Sequence, residues 1–215
     1  MRLLTLEHGL WAYRADFAFY GAAVAALAAV LAALAPQAQG LALVAWSAAG
    51  LLVWTLVEYL LHRFVLHGLQ PFRRWHAAHH DRPTALICAP TLLSAGLILV
   101  LVFLPVLWLA GAWPACASTW GLLMGYLAYA VTHHATHHWR ADNAWTRRRK
   151  HWHAAHHHLA TPVCFGVTSG FWDVVFGSLP PDRGVSASSC APSTPPGPRA
   201  RAASATPRRR SAPAS

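Results

Sequence analysis

Four long apolar runs restrict the possible folds of this chain more than any other feature of its sequence. They cover residues 17–35, 41–61, 91–110 and 116–132. A helix of about 20 residues, rising about 1.5 Å per residue, crosses a hydrocarbon layer of about 30 Å. Of all residues 55% are hydrophobic and only 11% are charged, whereas soluble domains carry about 25% charge. The sequence therefore predicts an all-α integral membrane protein with four transmembrane helices, arranged as two hairpins.

The distribution of positive charge predicts the orientation of these hairpins. Their connections at 36–40 and 111–115 carry no charge, while arginines concentrate in the N-terminus, in 62–90 and after residue 133. Because cytoplasmic segments of membrane proteins are enriched in Lys and Arg, both termini are expected on the cytoplasmic side. The polar segments that carry the chain's histidine groups are expected on the same side, where they would form a helical cap that holds a histidine-rich dimetal site. In a bacterium this would be the inner membrane. The net charge of +10 is interpreted as a topology signal and a lipid-facing surface, with no nucleic-acid partner.

Composition divides the chain into three parts. Residues 1–16 are predicted to be a cytoplasmic lead-in, 17–181 the membrane domain, and 182–215 a disordered basic tail of Pro, Ser, Ala and Arg. Such a tail cannot bury enough apolar surface to fold. The four cysteines show no C-x-x-C spacing, so neither a disulfide framework nor a thiolate metal site is expected.

Two segments after the fourth run have a mixed character. Residues 139–158 are rich in Arg, Trp and His, which predicts a helix lying at the membrane interface. Residues 166–177 alternate small and aromatic side chains. We expect Phe171, Trp172 and Phe176 to pack against the lipid surface or the cap, with a role in substrate access as the alternative.

Histidine is concentrated at the polar ends of the apolar runs. Every one of the 15 histidines except His8 lies between His62 and His158. Ten of them form four groups, two of which share the spacing His-x-x-His-His: His62 and His67; His76, His79 and His80; His133 and His137; His153, His156 and His157. Several imidazoles must converge to hold a divalent ion against water. A tetrahedral zinc site takes four ligands, so these ten predicted ligands suit two ions.

The spacing within the groups predicts local structure around the site. Residues three or four apart share one face of a helix, which fits three of the groups. His62 and His67 are five apart, so the second span is expected to end or bend between them; Pro105 is expected to kink the third. With only seven acidic residues in the chain, Glu58 and Asp81 are expected to fix histidine tautomers as hydrogen-bond acceptors rather than to bind metal.

The four groups, in this order and at the cytoplasmic ends of two hairpins, resemble those of the fatty acid hydroxylase and sterol desaturase superfamily of membrane di-iron oxygenases. The resemblance covers about residues 40–180 and is strongest to the fatty acid 2-hydroxylase branch. The motifs that carry it are HRFVLH at 62–67, WHAAHH at 75–80, VTHHATHH at 131–138, and HAAHHH at 153–158 followed by FGVTSGFWDVVFG.

The resemblance implies a ligand set, a reaction and partners. The ten histidines would bind two iron ions, with zinc as a substitute in purified protein, and no catalytic residue beyond these ligands is implied. The implied reaction inserts one oxygen atom of dioxygen into a C–H bond of a lipid acyl chain, at C2 in the 2-hydroxylase branch. Residues 1–16 are too short to be the fused cytochrome b5 domain of eukaryotic 2-hydroxylases, so a separate ferredoxin- or cytochrome-like electron donor is expected.

Other functions share some of these features. A carotenoid or sterol-type hydroxylase or desaturase of the same superfamily stays open, since hydroxylation and desaturation both begin with hydrogen abstraction. A non-redox membrane zinc hydrolase would use the same ligands. A b-type haem cytochrome would need histidines facing each other within the bilayer, and a metal transporter would need ionisable residues near its centre. The middle of each span is apolar here, which disfavours the last two.

Overall fold

Regular structure in this protein is helical. The computed structural model describes Glu7 and residues 9–87 and 89–180; the predicted tail at 182–215 lies outside them. Within the described residues there is no β-strand, only an isolated antiparallel bridge between Glu7 and Ile87. The α-helices are α1 (Leu10–Leu34), α2 (Gly40–Leu60), α3 (Phe72–Asp81), α4 (Thr91–Ile98), α5 (Leu104–Ala110), α6 (Ala112–His138), α7 (Ala144–His158) and α8 (Phe171–Val175). The all-α prediction is confirmed for this part of the chain.

Three helical stretches are long and apolar enough to cross a membrane: Leu10–Leu34, Gln37–Leu66 and Thr91–Ala110. They match the first three predicted spans. The first begins before residue 17 because polar residues continue the helix, and buried Asp16 accepts a 2.5 Å hydrogen bond from the Thr91 hydroxyl. The fourth predicted run lies within α6, which is richer in small and polar residues. The arrangement of four spans stays a prediction.

Helix α6 lies at the centre of the packing, against α1, α2 and α5. Its contact with α2 depends on two glycines that face the opposite backbone. A Cβ atom on Gly50 would lie 2.0 Å from the carbonyl oxygen of Ser118, and one on Gly121 would lie 1.9 Å from that of Ser47. The two backbones therefore touch, and the C-terminal ends of α2 and α6 are held close to each other.

Two π-helical turns interrupt the regular helices. The first, Leu61–Leu66, extends α2. The second span therefore ends at Leu66, between His62 and His67 as expected, and its last turn is π-helical. A π-helical turn bonds i to i+5 and therefore brings residues five apart to the same side, with the two imidazole centroids 5.4 Å apart. The second, Leu99–Phe103, comes just before Pro105, which has no N–H to continue an α-helical ladder.

Candidate metal centre

All ten predicted ligands come together, although they belong to four segments of the chain. They form two adjoining groups of five. The first histidine cluster is His62, His67, His76, His80 and His156, and the second histidine cluster is His79, His133, His137, His153 and His157. In each, four possible ligand atoms lie within 4.8 Å of one another. The fifth nitrogen, from His80 or His157, lies 3.0 Å or 3.1 Å from a member of its cluster.

The two His-x-x-His-His motifs are shared between the clusters in a reciprocal way. In each motif the outer histidines are four apart and lie on one helical face, while the middle histidine points to the other side. The outer pair of α3 joins the first cluster and the outer pair of α7 joins the second. At the junction the rings of His80 and His157 stack with centroids 4.1 Å apart. Each cluster is therefore incomplete without both helices.

Backbone carbonyl groups fix two of the imidazoles. The Nδ1–H of His62 donates to the Phe165 carbonyl oxygen at 2.6 Å, and the Nδ1–H of His156 donates to that of Val163 at 2.7 Å. Each neutral ring then presents an unprotonated Nε2 to the first cluster. The prediction that Glu58 would fix a tautomer by accepting directly from a histidine is wrong: its carboxylate instead accepts hydrogen bonds from the backbone N–H groups of Val167 and Thr168.

The clusters fit metal ions in both donor type and spacing. Neighbouring Nε2 atoms are 2.7 to 3.1 Å apart. Two nitrogens bound at about 2.1 Å to one ion lie about 3.0 Å apart when they subtend a right angle, and about 3.4 Å apart in a tetrahedron. The observed spacing therefore matches a five- or six-coordinate ion. An all-imidazole donor set suits iron, zinc, copper and nickel.

The histidines are held in the neutral form that binds metal. Burial lowers the pKa of His79 to about 4, and the neighbouring His80 adds electrostatic repulsion. Burial also lowers the pKa of His156 to about 3 and that of His157 to about 2. The usual histidine pKa is about 6.5, so these rings are neutral at pH 7, with one ring nitrogen protonated and the other free to bind metal. Metal binding at pH 7 then requires no proton release from them.

The same depressed pKa values predict how the metal-free protein responds to acid. Below about pH 6.5 the histidines of the unfolded chain take up protons, whereas His79 in the folded chain does so only near pH 4. The unfolded state binds more protons in that window, so stability present above pH 6.5 is lost as the pH falls towards 4. We expect the melting temperature of chelator-treated protein to drop steadily across this range. A melting temperature that stays constant between pH 6.5 and pH 4 would contradict this prediction. It would also be contradicted if His79→Ala and the exposed-residue control His151→Ala changed the slope of melting temperature against pH equally.

The remaining histidines lie outside the clusters. His134 has its Nδ1 3.1 Å from the Tyr13 hydroxyl, and its ring stacks on His138 with centroids 4.4 Å apart. His151 and His158 are exposed, and His8 is not among the described residues. Metal-binding geometry is thus limited to the ten predicted side chains in the described part of the chain.

Sequence reasoning missed the buried loop beneath the first cluster. This loop, residues 163–168, here named the carbonyl loop, supplies the two carbonyl oxygens, and the fully buried Asp173 lies behind it. No side-chain pattern shows where a backbone carbonyl points. The one feature of the sequence that could have indicated this loop was Asp173, an acidic residue within the apolar segment 171–176. Of the aromatic residues predicted to pack there, Trp172 donates to the Thr55 hydroxyl and Phe176 stacks on Tyr59, while Phe171 is 60% exposed.

The fold and the site define an all-helical membrane protein with two histidine clusters able to hold metal ions. Residues 47–178, more than half of the chain, match the fatty acid hydroxylase family. The protein belongs to this family, which confirms the resemblance noted in its sequence.

Individual relatives agree with the family match. The dihydroceramide fatty acyl 2-hydroxylase FAH2 of Arabidopsis thaliana is 35% identical over 142 residues, covering 61% of this chain and 59% of that protein. The ceramide very long chain fatty acid hydroxylase SCS7 of Saccharomyces cerevisiae is 37% identical over 159 residues, covering 64% and 38%. A solved structure of scs7p, with only its hydroxylase domain visible, superposes with a TM-score of 0.67 at 29% identity, covering 82% of this chain and 69% of that one. The chain spans less than two thirds of the length of these curated relatives.

Proposed function

We propose that this protein is a membrane-bound di-iron oxygenase that hydroxylates a lipid acyl chain, at C2 of a fatty acid or acyl lipid. The observation that carries the proposal is the convergence of ten histidines into two adjoining clusters of five. It occurs in a chain whose similar relatives are named as a dihydroceramide fatty acyl 2-hydroxylase and a ceramide very long chain fatty acid hydroxylase. All ten histidines are proposed as the metal ligands.

The chain's own residues prepare the site for this chemistry. A pair of iron ions held by the two clusters would supply the activation of dioxygen and the attack on a C–H bond. The imidazoles bind as neutral ligands because burial disfavours uptake of the second proton that would make them imidazolium. The carbonyl loop orients His62 and His156 from behind. Each cluster would hold its ion through five imidazole nitrogens.

The proposed topology places this centre at the cytoplasmic membrane surface. Four spans in two hairpins, with α6 as the fourth, would put all the histidines on one side with both termini. There a metal centre can meet a carbon near the head of a lipid while the lipid tail stays among the spans. The uncharged connections at 36–40 and 111–115 support this orientation.

A separate electron donor would bind the cap, since C–H hydroxylation by dioxygen consumes two external electrons. Exposed arginines on two helices offer a basic surface: Arg73 and Arg74 on α3, and Arg147 and Arg148 on α7. Surface charge of one sign steers a partner of the opposite sign. We propose an acidic ferredoxin- or cytochrome-like protein as this donor.

Lipid mass spectrometry under isotopically labelled dioxygen tests the proposed reaction. Cells expressing the chain should gain a lipid carrying one labelled oxygen atom at C2 of its acyl chain. Cells expressing His137→Ala should not, and cells expressing the exposed-residue control His151→Ala should. Loss of two hydrogens without oxygen would identify a desaturase instead. Acyl release that proceeds without dioxygen would identify a zinc hydrolase.

A further inference from the structure

The carbonyl loop has an unusual set of hydrogen bonds on its other side. Its four consecutive N–H groups, from Phe165 to Thr168, all donate to buried carboxylates. Asp173 accepts those of Phe165 at 2.8 Å and Gly166 at 2.9 Å, one on each carboxylate oxygen. The N–H groups of Val167 and Thr168 donate to Glu58. A backbone segment with every N–H used in this way has little freedom to move.

Glu58 holds the second half of the loop from α2. Its Oε1 accepts the N–H of Val167 at 2.7 Å and that of Thr168 at 2.9 Å, and its Oε2 accepts the Thr168 hydroxyl at 2.5 Å. Glu58 is 4% exposed and Asp173 is fully buried. The Arg149 guanidinium, also buried, stacks on Trp152 and supplies positive charge near both carboxylates. Charged groups are this deeply buried only when they are paired or hydrogen-bonded.

The held loop faces one cluster only. The carbonyl oxygens of Val163 and Phe165 accept from His156 and His62, and both histidines belong to the first cluster. Between these carbonyls Cys164 has φ 54°, a left-handed conformation that non-glycine residues keep only where surrounding contacts impose it. Among the described hydrogen bonds, none joins the carbonyl loop to the second cluster.

We propose that Glu58 and Asp173 are positioning residues that set the metal affinity of the first cluster and leave that of the second unchanged. By holding four N–H groups they fix two carbonyls, and the carbonyls fix the tautomer and orientation of two ligands. Partners behind a metal ligand typically change affinity about 10- to 100-fold. This inference rests on the proposed dimetal centre and makes its two ions inequivalent.

Equilibrium zinc binding to the purified full chain in detergent, in competition with a chelator of known affinity, tests the proposal. The wild-type protein should bind two zinc ions. Asp173→Asn replaces one acceptor oxygen with an NH2 group that faces a backbone N–H. It should reduce the affinity for one of the two zinc ions about 10- to 100-fold and leave the affinity for the other within about twofold of the wild-type value. Glu58→Gln can keep the Oε1 atom that accepts both backbone N–H groups and place its NH2 group at the Thr168 hydroxyl. It should therefore reduce the affinity for the same ion by less.

Matched variants separate positioning from a general loss of stability. Asp16→Asn alters another buried carboxylate, on α1, that accepts from Thr91, and it should leave both zinc affinities unchanged. If Asp173→Asn does not fold, Thr168→Val takes its place, since it removes only the hydroxyl that donates to Glu58. This variant too should reduce the affinity for one zinc ion and leave that for the other unchanged. An equal loss of affinity for both ions, or no loss for either, overturns the inference. A wild-type protein that binds fewer than two ions overturns the dimetal centre itself.

Discussion

Replacing His156 with alanine should abolish the proposed lipid hydroxylation and empty the first histidine cluster. His156 is 2% exposed, its Nδ1 is fixed by the Val163 carbonyl oxygen, and its Nε2 lies 3.1 Å from that of His67. Loss of a group behind a ligand costs about 10- to 100-fold in metal affinity, so loss of the ligand itself should cost more than about 100-fold. Alanine keeps the helical propensity of α7, so the helix should persist.

The measurement is metal content per chain alongside product formation. His156→Ala should retain about one ion and yield no hydroxylated lipid. His151→Ala is the matched control, since His151 is an exposed histidine on the same helix, and it should keep both ions and full activity. An active His156→Ala protein with two bound ions would remove His156 from the ligand set.

Replacing Gly121 with alanine should disrupt the membrane domain itself. The added Cβ would lie 1.9 Å from the Ser47 carbonyl oxygen and 3.0 Å from the Leu51 backbone nitrogen. Real Cβ atoms do not approach backbone so closely, so α2 and α6 would have to separate. Overpacking usually costs about 1–3 kcal/mol, and a clash with backbone should reach the upper end of that range or exceed it. Separation would also move His62 away from the histidines of α6.

Thermal unfolding in detergent and the yield of monodisperse protein measure this effect. We expect Gly121→Ala to melt well below the wild type and to be recovered poorly. Gly96→Ala is the control, because Gly96 lies in a helix of the third span and a Cβ there meets nothing within 4 Å. Equal stability of the two variants would show that the close contact between α2 and α6 is dispensable.

Most of the helical fold and the identity of the clustered histidines could be predicted from the sequence. Apolar runs of about 20 residues located three helices long enough to cross a membrane, because length and hydrophobicity suffice for that inference. The grouping of histidines predicted which side chains would meet, and the structure brings all ten together. The family resemblance was carried by the same motifs and is confirmed by the match over residues 47–178.

What could not be predicted depends on backbone geometry. The five-residue spacing of His62 and His67 indicated a departure from the α-helix. It did not show that this departure would be a π-helical turn, which brings both side chains to the same side. The role of Glu58 was misjudged because its position near histidines does not reveal that backbone N–H groups reach it first. Division of the ten histidines into two clusters also needed coordinates, since each His-x-x-His-His motif serves both.

The reciprocal sharing of the two motifs has a consequence for how the protein is made. While the ribosome is still translating the segment before α7, the nascent chain holds only part of each cluster, since His153, His156 and His157 have not yet been added. The Phe165 carbonyl that orients His62 comes later still. Both clusters are therefore completed only after the preceding hydrophobic segments have left the ribosome. Once bound, the ions would act as cross-links between the early and the late halves of the polypeptide.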